Sequence, residues 1–398
     1  MKPHTRHSPG EALELVLRNA TPLPTEHVEP PDAVYRVLSD RLYARMEDPR
    51  FDKSAVDGIG IRAGDPSPVF QVIGEIAAGG DIDHRLQQGE AVRIMTGAPV
   101  PEDAGQVVRL ENCSFDGARA RVIKPERTTN IALKGENIAV GDLLMSPRRL
   151  LPQDIGVIVS QGYRKIPVHR RPRVAVIATG DEIYPYSVDL PPAGIYDSNS
   201  YQLAAFARDA FADVTHVGIV PDEPERIHEA LGNAIAAHDV VVLTGGVSMG
   251  DYDFVPDALD HLGAEVVFHG LSMKPGWPTL YAVVRGGGHE THVFGLPGNP
   301  VSTVVQFELL LRPLLWALAG ATYVPREARA PLAVRYARKN ADRYEFRPGI
   351  LRDGEVVPLD YKGSGHISIL AEATLFFRVD QGVTALDPGS EVYVRFLR

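Results

Sequence analysis

The chain has 398 residues, a formal net charge of −10, 44% hydrophobic and 23% charged residues, and one cysteine, Cys113. The length exceeds one hydrophobic core and suggests roughly two to four domains. The negative balance argues against a general nucleic-acid binder, and a single cysteine allows neither an internal disulfide nor a thiolate zinc site. MKPHTRHSPGEALELVLRNA lacks the apolar centre of a signal peptide. No apolar run approaches the ~18–20 residues of a membrane span. The expectation is a soluble, cytoplasmic protein.

Taken in chain order, EALELVLRN at 11–19 carries leucines at helical spacing, and TPLPTEHVEPP breaks that helix with prolines. AVYRVLSDRLYARM at 33–46 predicts a second short helix. From about 52 to 145 the runs are short, Val/Ile-rich and punctuated by Gly, Pro and Asp, which predicts a small all-β module. LPQDIGVIVSQG then returns to helical character. Residues 1–50 and 141–172 are expected to form one elongated domain into which the β module 51–140 is inserted.

Residues 173–323 alternate. RVAVIAT, ADVTHVGIV, DVVVLTGG, AEVVFHGL, PTLYAVV and THVFGLPG read as strands. DSNSYQLAAFARDAF (capped by Asp197 or Ser198), EPERIHEALGNAIAAH, VPDALDHLG and VSTVVQFELLLRPLLWALAG read as helices. That rhythm predicts an α/β domain with a doubly wound, mostly parallel sheet, whose ligands bind beyond the C-terminal strand ends. From 324 to 398 short strands return and predict a closing β domain.

Each unusual sequence of the α/β domain falls at a predicted strand end: ATGDEI (178–183), TGGVSMGDYD (244–253), MKPGWP (273–278) and GLPGNP (295–300). Gly245 and Gly246 let the backbone approach a ligand and aim amides at it, and Thr244 and Ser248 add hydroxyls. Asn299 suits a helix N-cap and Pro300 its first position, where free N–H groups favour anions. Lys274 supplies a compact positive charge. Carboxylates at the same rim (Asp181, Glu182, Asp251, Asp253) make sense beside a phosphate if a hard cation such as magnesium lies between them. The plainer readings stand beside these: a Gly-Gly turn as a mere βα connection, Asp251 or Asp253 as a helix cap, LPGNP as a sharp turn, Lys274 as a solvated side chain. The 13 histidines show no ligand spacing. The residues alone indicate an α/β enzyme binding a phosphorylated or nucleotide-like ligand with magnesium.

The loops, in this order, resemble the molybdopterin molybdenumtransferase family, which includes bacterial MoeA and the C-terminal domain of gephyrin. FDKSAVDG (51–58), IMTGAPVP (94–101), VAVIATGDEI (174–183), IYDSNSYQLAA (195–205), TGGVSMGDYD, KPGWP, FGLPGNPVS (294–302) and GSGHIS (363–368) all take part. The resemblance spans nearly the whole chain. It implies an elongated domain, an inserted β domain, a molybdopterin-binding α/β domain and a C-terminal β-barrel, assembled as a homodimer with the cleft between subunits. The implied activity is insertion of molybdate into the dithiolene of adenylated molybdopterin. Magnesium-dependent hydrolysis of the adenylate then leaves molybdenum cofactor and AMP. A molybdopterin adenylyltransferase and apo-molybdoenzymes are the partners implied, with neither nucleic acid nor membrane.

By the same resemblance Asp57, Thr96, Glu182, Asp222, Asp253, Lys274, Pro297, Pro300, Arg347 and Ser368 occupy positions linked to activity. Glu182, Asp253 and Asp251 are candidates for magnesium. Gly245, Gly246 and Ser248 would cradle the phosphate, with Asn299 beside them. Asp57 would reach the partner's cleft. The substrate brings its own soft sulfurs, so no cysteine ligand is needed. The tetrahedral molybdate dianion suits Lys274, Arg347 and a helix N-terminus.

The chain departs from the family at KPGWP, where KPGKP is usual. Trp277 is expected to pack on the cleft or to stack on a pterin or adenine ring, and Lys53 is a candidate for the missing charge. Asn137 stands where an acid is usual, in ALKGEN (132–137). Two function classes follow: an active molybdenumtransferase, or a catalytically diverged dimeric scaffold that binds another protein.

Overall fold

The protein is described by a computed structural model covering residues 6–80, 85–246, 254–286 and 288–397. Its centre is a six-stranded sheet. Strand Arg173–Thr179 lies between Asp213–Val220 and Val240–Thr244, and the order continues through His289–Leu296, Leu280–Gly286 and Glu265–His269. The first four are mutually parallel. A hairpin reversal makes Leu280–Gly286 antiparallel to both its neighbours. All six expected strands are present.

Side-chain alternation along buried strands divides the core into two layers. Val174 and Val176 face Leu203, Ala204 and the long helix Pro300–Leu318, whereas Ala175 and Ile177 face Ile227, Leu231, Val255 and Leu259. Helices Asn199–Asp209 and Pro300–Leu318 therefore cover one face, and Pro224–Ala237 and Val255–His261 the other. The doubly wound prediction holds. Every βα loop of the parallel strands opens at the same edge.

Pro300–Leu318 has 19 residues and is, among the described residues, the one helix long and apolar enough to cross a bilayer. Sequence reading expects no such run; Glu308 and Arg312 stand within this one. Here those two neutralise each other at 2.8 Å, and 83% of its apolar window is buried inside the fold. It is a core helix.

The second short helix expected at 33–46 does not form. A 3₁₀ turn, Pro30–Ala33, ends at Tyr35 with φ 64°, and the chain then bridges Val37 to Arg149 and Leu38 to Val168 before strand Leu42–Tyr43 pairs with Leu143–Met145. Ala33, Leu38 and Leu42 share a core with Met145, Leu150, Ile158 and Val168. Non-local pairing overrides the local helical period. The first helix, Pro9–Arg18, does form behind a Ser8–Glu11 capping box. Its Ala12 and Val16 pack into the α/β core.

Between these flanking segments lies a six-stranded β sheet in the order Ala104–Arg109, Gly58–Arg62, Glu90–Ile94, Val69–Ile76, Arg119–Val122, Cys113–Asp116. Gly58 permits the closest crossing, since a Cβ there would meet the Val108 carbonyl at 2.2 Å. In the C-terminal part, Glu327–Pro331, Glu391–Phe396, Leu375–Val379, Tyr344–Arg352 and Glu355–Pro358 pair in sequence. A Leu332–Val356 bridge returns the first of these against the last, so the sheet curls closed like a barrel. At its free edge, Met273–Lys274 from the α/β part adds in parallel to Tyr344–Arg352. That strand stitches the two parts together.

Asp239 anchors the parallel sheet at the end opposite the loops. It is 1% exposed and accepts from Arg170 at 2.6 and 2.9 Å and from the Arg173 N–H at 2.8 Å. Burial alone raises its pKa, but these donors outweigh that and hold it at about 2, below the ordinary 3.8. A depressed carboxylate stabilises fully above its unfolded pKa and loses that contribution as pH falls through the folded value. Urea unfolding from pH 6 to 2 is therefore expected to show about 2 kcal/mol lost between pH 4 and 2. Asp239→Asn should be destabilised at pH 6 and converge on wild type near pH 2. A constant gap would show that the carboxylate charge is not what anchors the sheet.

Candidate functional site

Three strand-end loops converge at one edge of the sheet. Gly245 has φ 98° and donates its N–H to the Leu296 carbonyl at 3.1 Å. A Cβ at Gly245 would stand 2.4 Å from the Thr179 carbonyl, and one at Gly246 (φ 62°) would stand 3.0 Å from Thr179 Oγ1. Only glycine allows this approach. Asn199 opens its helix beneath both loops, where Nδ2 donates to Thr244 Oγ1 at 3.0 Å and to the Gly298 carbonyl at 2.7 Å. The Asp197 carboxylate takes the Ser200 N–H at 3.0 Å, so Asp197 is the residue that caps.

Asn199 Oδ1 and Thr179 Oγ1 are buried and have no hydrogen-bond partner among the described residues. Buried polar atoms are nearly always paired, so two orphans under a glycine turn fit a site built for a polar ligand. Ser248, Asp251 and Asp253 follow this turn in sequence but lie outside the described residues. Asp181 and Glu182 are exposed at the rim. Asp181 accepts the Asp222 N–H at 3.3 Å. The Glu182 carboxylate folds back over Gly180, 2.8 Å from where a Cβ would stand. Among the described residues no three His, Cys, Asp or Glu side chains are grouped to hold a metal.

The GLPGNP loop leads into the long helix. Pro297 is buried and Asn299 stands at the N-cap without using its side chain. Pro300 follows, and the Val301 N–H, expected to be free, donates to the Ser364 carbonyl at 3.1 Å. The GSGHIS segment is thereby held against the helix start, with Gly365 next to Asn299. Ser368 is exposed and heads the short turn Ile369–Glu372.

Lys274 and Arg347 meet in a second region, at the seam between the two sheets. A cleft of about 550 Å³ is lined by Lys274, Arg338, Lys339, Arg343 and Arg347, with Asp342, Glu345 and Tyr336. Five cations thus face two carboxylates in a chain whose net charge is −10. Glu345, 2% exposed, sits at the centre. Lys274 Nζ lies 3.5 Å from it, Arg338 3.5 Å and Arg347 3.7 Å, and Tyr336 donates its hydroxyl at 2.8 Å. Burial and then that bond to Glu345 push the Tyr336 phenol up to about 12. The Arg347 guanidinium also lies over the rings of Tyr336 and Tyr361. Such a basin suits a compact oxyanion.

Asp57 and Thr96 pair within the inserted sheet. The exposed Asp57 carboxylate accepts both the N–H and the hydroxyl of Thr96 at 2.7 Å, which lowers its pKa, the N–H contributing most. No hydrogen bond or ion pair joins this pair to the strand-end loops or the basin among the described residues. Sequence reading missed Thr179, Asn199, Arg338, Arg343 and Glu345. For Arg338 and Arg343 a signal existed, since five basic residues crowd positions 335–347.

Comparison with known proteins agrees with this layout. The family described as MoeA N-terminal region (domain I and II) matches residues 7–162, the probable molybdopterin binding domain 175–317, and the MoeA C-terminal region (domain IV) 329–397. A molybdopterin molybdenumtransferase of Staphylococcus aureus (strain MSSA476) is 31% identical, covering 96% of this chain and 93% of that protein. The chain belongs to the molybdopterin molybdenumtransferase family. A crystal structure of a molybdopterin biosynthesis MoeA protein from Pyrococcus horikoshii superposes with a TM-score of 0.86 at 30% identity, covering 99% of this chain and all of that one. A second, from strain OT3, gives 0.79 at 28%, covering 98% of this chain and all of that one. The chain is thus a member of a family of transferases of molybdenum cofactor biosynthesis.

Its departures from the family pattern have local explanations. Asn137 Nδ2 donates to Asp48 at 3.1 Å, where a carboxylate would face another carboxylate. Trp277 is half-buried in the turn, with the guanidiniums of Arg6 and Arg343 over its ring at 5.7 and 5.9 Å. Lys53 lies on the inserted sheet's short strand Lys53–Ser54, paired with Ile131–Ala132.

The glycine cradle yields a paired test. Gly245→Ala forces a side chain into positive φ and onto Thr179, and should cost about 2 kcal/mol or more. Gly298→Ala, whose Cβ would meet nothing nearer than 4.0 Å, should cost less than about 1 kcal/mol. Equal thermal shifts for the two variants would show that the loop is not packed as described.

Proposed function

We propose that this chain inserts molybdate into the dithiolene of adenylated molybdopterin and hydrolyses the adenylate, releasing molybdenum cofactor and AMP. The observation that supports it most is the cationic basin around Glu345 in an otherwise acidic protein that also carries a glycine cradle. The basin takes the molybdate dianion: Lys274, Arg343 and Arg347 bind it, Glu345 holds Lys274 and Arg347 in place, and Arg338 is fixed to backbone carbonyls behind them. The Gly245–Gly246 backbone approaches the nucleotide phosphate, the Gly246 amide facing it while the Gly245 N–H is taken by the Leu296 carbonyl, with Thr179 and Asn199 as further polar contacts. Ser248 belongs to the same loop. Pro297, Asn299, Pro300 and Ser368 shape the wall between cradle and basin, and Asp222 steadies Asp181 at the rim. The dithiolene sulfurs displace oxygen from molybdenum, so the protein supplies position and charge rather than metal ligands.

Glu182, with Asp251 and Asp253, would hold magnesium. An exposed carboxylate beside a phosphate cradle is the hard oxygen donor that ion takes. When bound, the ion neutralises charge developing on the pyrophosphate. Asp57 acts from a partner subunit in this reading, since within one chain it has no link to the cradle or basin. Exposed Leu143, Leu151, Val157 and Val159 on the elongated part offer apolar surface for a homodimer. A molybdopterin adenylyltransferase upstream, apo-molybdoenzymes downstream and a cytoplasmic location belong to the same reading.

The test is AMP release from adenylated molybdopterin, with magnesium, against molybdate concentration. Saturable release is expected. Glu182→Ala should lower kcat by about 10²-fold or more, and Arg347→Ala should raise the molybdate KM about tenfold with a smaller effect on kcat. Nucleotide binding without release at any molybdate concentration would instead identify a diverged scaffold.

A further inference from the structure

The KPGWP turn replaces the family's second lysine by tryptophan, and the geometry around that ring points to what takes over the lost charge. The turn is held firmly. The Trp277 carbonyl accepts the Leu271 N–H at 2.8 Å. The Gly276 carbonyl accepts from Thr279 Oγ1 at 2.8 Å and Gln306 Nε2 at 3.3 Å. The opposite strand is tied to the same turn, since the Tyr344 N–H donates to the Ser272 carbonyl at 3.0 Å and Lys274 stands in register with Glu345. Arg343 is the residue immediately before that strand. Its guanidinium carbon lies 5.9 Å from the centre of the Trp277 ring, and its side chain lines the basin with Lys274 and Arg347. Arg343 Nε is buried without a hydrogen-bond partner among the described residues, and Asp342 approaches it only to 3.7 Å. The donor is held in place and unspent.

We propose that Trp277 is a positioning residue for Arg343: its ring holds the guanidinium at the basin wall, where the arginine supplies oxyanion-binding charge in place of the lysine usual at position 277. Tryptophan is the strongest of the aromatic partners for a cation. A lysine at 277 would stand among Arg343 and Arg6 and be repelled by both, so lysine and this aromatic–arginine pair are alternative solutions. The inference rests on the proposed reading of the basin as the molybdate site.

Sodium molybdate is the probe, titrated calorimetrically into the full chain and followed by the fluorescence of Trp277 in a Trp316→Phe background, since the chain has only two tryptophans. Arg343→Ala should weaken binding about tenfold and Trp277→Ala about three- to tenfold. The double variant should bind no more weakly than Arg343→Ala alone, because the ring acts through the arginine. Trp277→Lys should rescue the Arg343→Ala variant to within about threefold of wild type, which a merely structural role for Trp277 does not predict. Trp277→Phe keeps packing and a weaker aromatic face, and should fall between wild type and Trp277→Ala whether or not the alanine variant folds. Independent, additive losses, or wild-type affinity in Trp277→Phe together with failed rescue, would overturn the proposal and leave the basin reading intact. Absence of molybdate binding by the wild-type chain would overturn both.

Discussion

A single buried carboxylate sets the conditions for the rest of the site. Glu345 lies in low-dielectric surroundings where an unpaired charge is strongly unfavourable, and it is compensated by cations from both the α/β part and the C-terminal part. Its partners Lys274, Arg338 and Arg347 stand at 3.5–3.7 Å, longer than a charge-assisted hydrogen bond of about 2.7–2.9 Å. Lys274 and Arg347 are attracted without being consumed, whereas Arg338 gives its donors to the Val383, Arg343 and Asp380 carbonyls. Compare Asp239, whose arginine contacts are 2.6 and 2.9 Å and which fixes the sheet. Tight pairs spend their donors on structure; the looser Lys274 and Arg347 contacts at Glu345 leave donors for something else. The parallel pairing of Lys274 with Glu345 makes the same contact a mechanical joint between the α/β part and the C-terminal barrel.

The glycine cradle works by the opposite means. Nothing charged holds Gly245 and Gly246 against Thr179; what matters is the side chain they lack. Close approach leaves Thr179 Oγ1 and Asn199 Oδ1 buried and without a partner among the described residues, a cost that a well-packed turn would normally avoid. The same helix start that carries Asn199 also touches Gly298, so movement of one loop must be felt by the other. The GLPGNP turn is also tied to the C-terminal part, because the Ser364 carbonyl takes the Val301 N–H at the head of the long helix.

Much of this was legible in the sequence. β-branched runs alternating with amphipathic helices gave the doubly wound sheet, and glycine, proline and acidic residues at the strand ends marked the cradle. The basin was only half visible. Lys274 and Arg347 drew attention through resemblance, but Glu345, in the strand EFRPG, reads as an ordinary polar position until its burial is known. Residues 33–46 carry a helical period and nonetheless form bridges and a strand. Their partners, Arg149, Val168 and Leu143–Met145, lie about a hundred residues away, and no local pattern encodes such a pairing. Asn199 and Thr179 gave no signal, because their role depends on which backbone atoms the fold brings above them.

The departures at positions 137 and 277 bear on whether the chain still carries out its family's chemistry. If the site were a relic, loss of a lysine should leave a diminished basin with its neighbours relaxed. Instead the ring at 277 faces an arginine that lines the same cleft, and Asn137 satisfies an aspartate that an acid would repel. Each change has a complementary neighbour in this chain. Asp57 adds a constraint of another kind. Its carboxylate is held by Thr96 and kept ionised on an exposed surface, yet among the described residues no hydrogen bond or ion pair joins it to cradle or basin. Two hydrogen bonds fix its orientation in advance, as the proposed role in a partner's cleft requires.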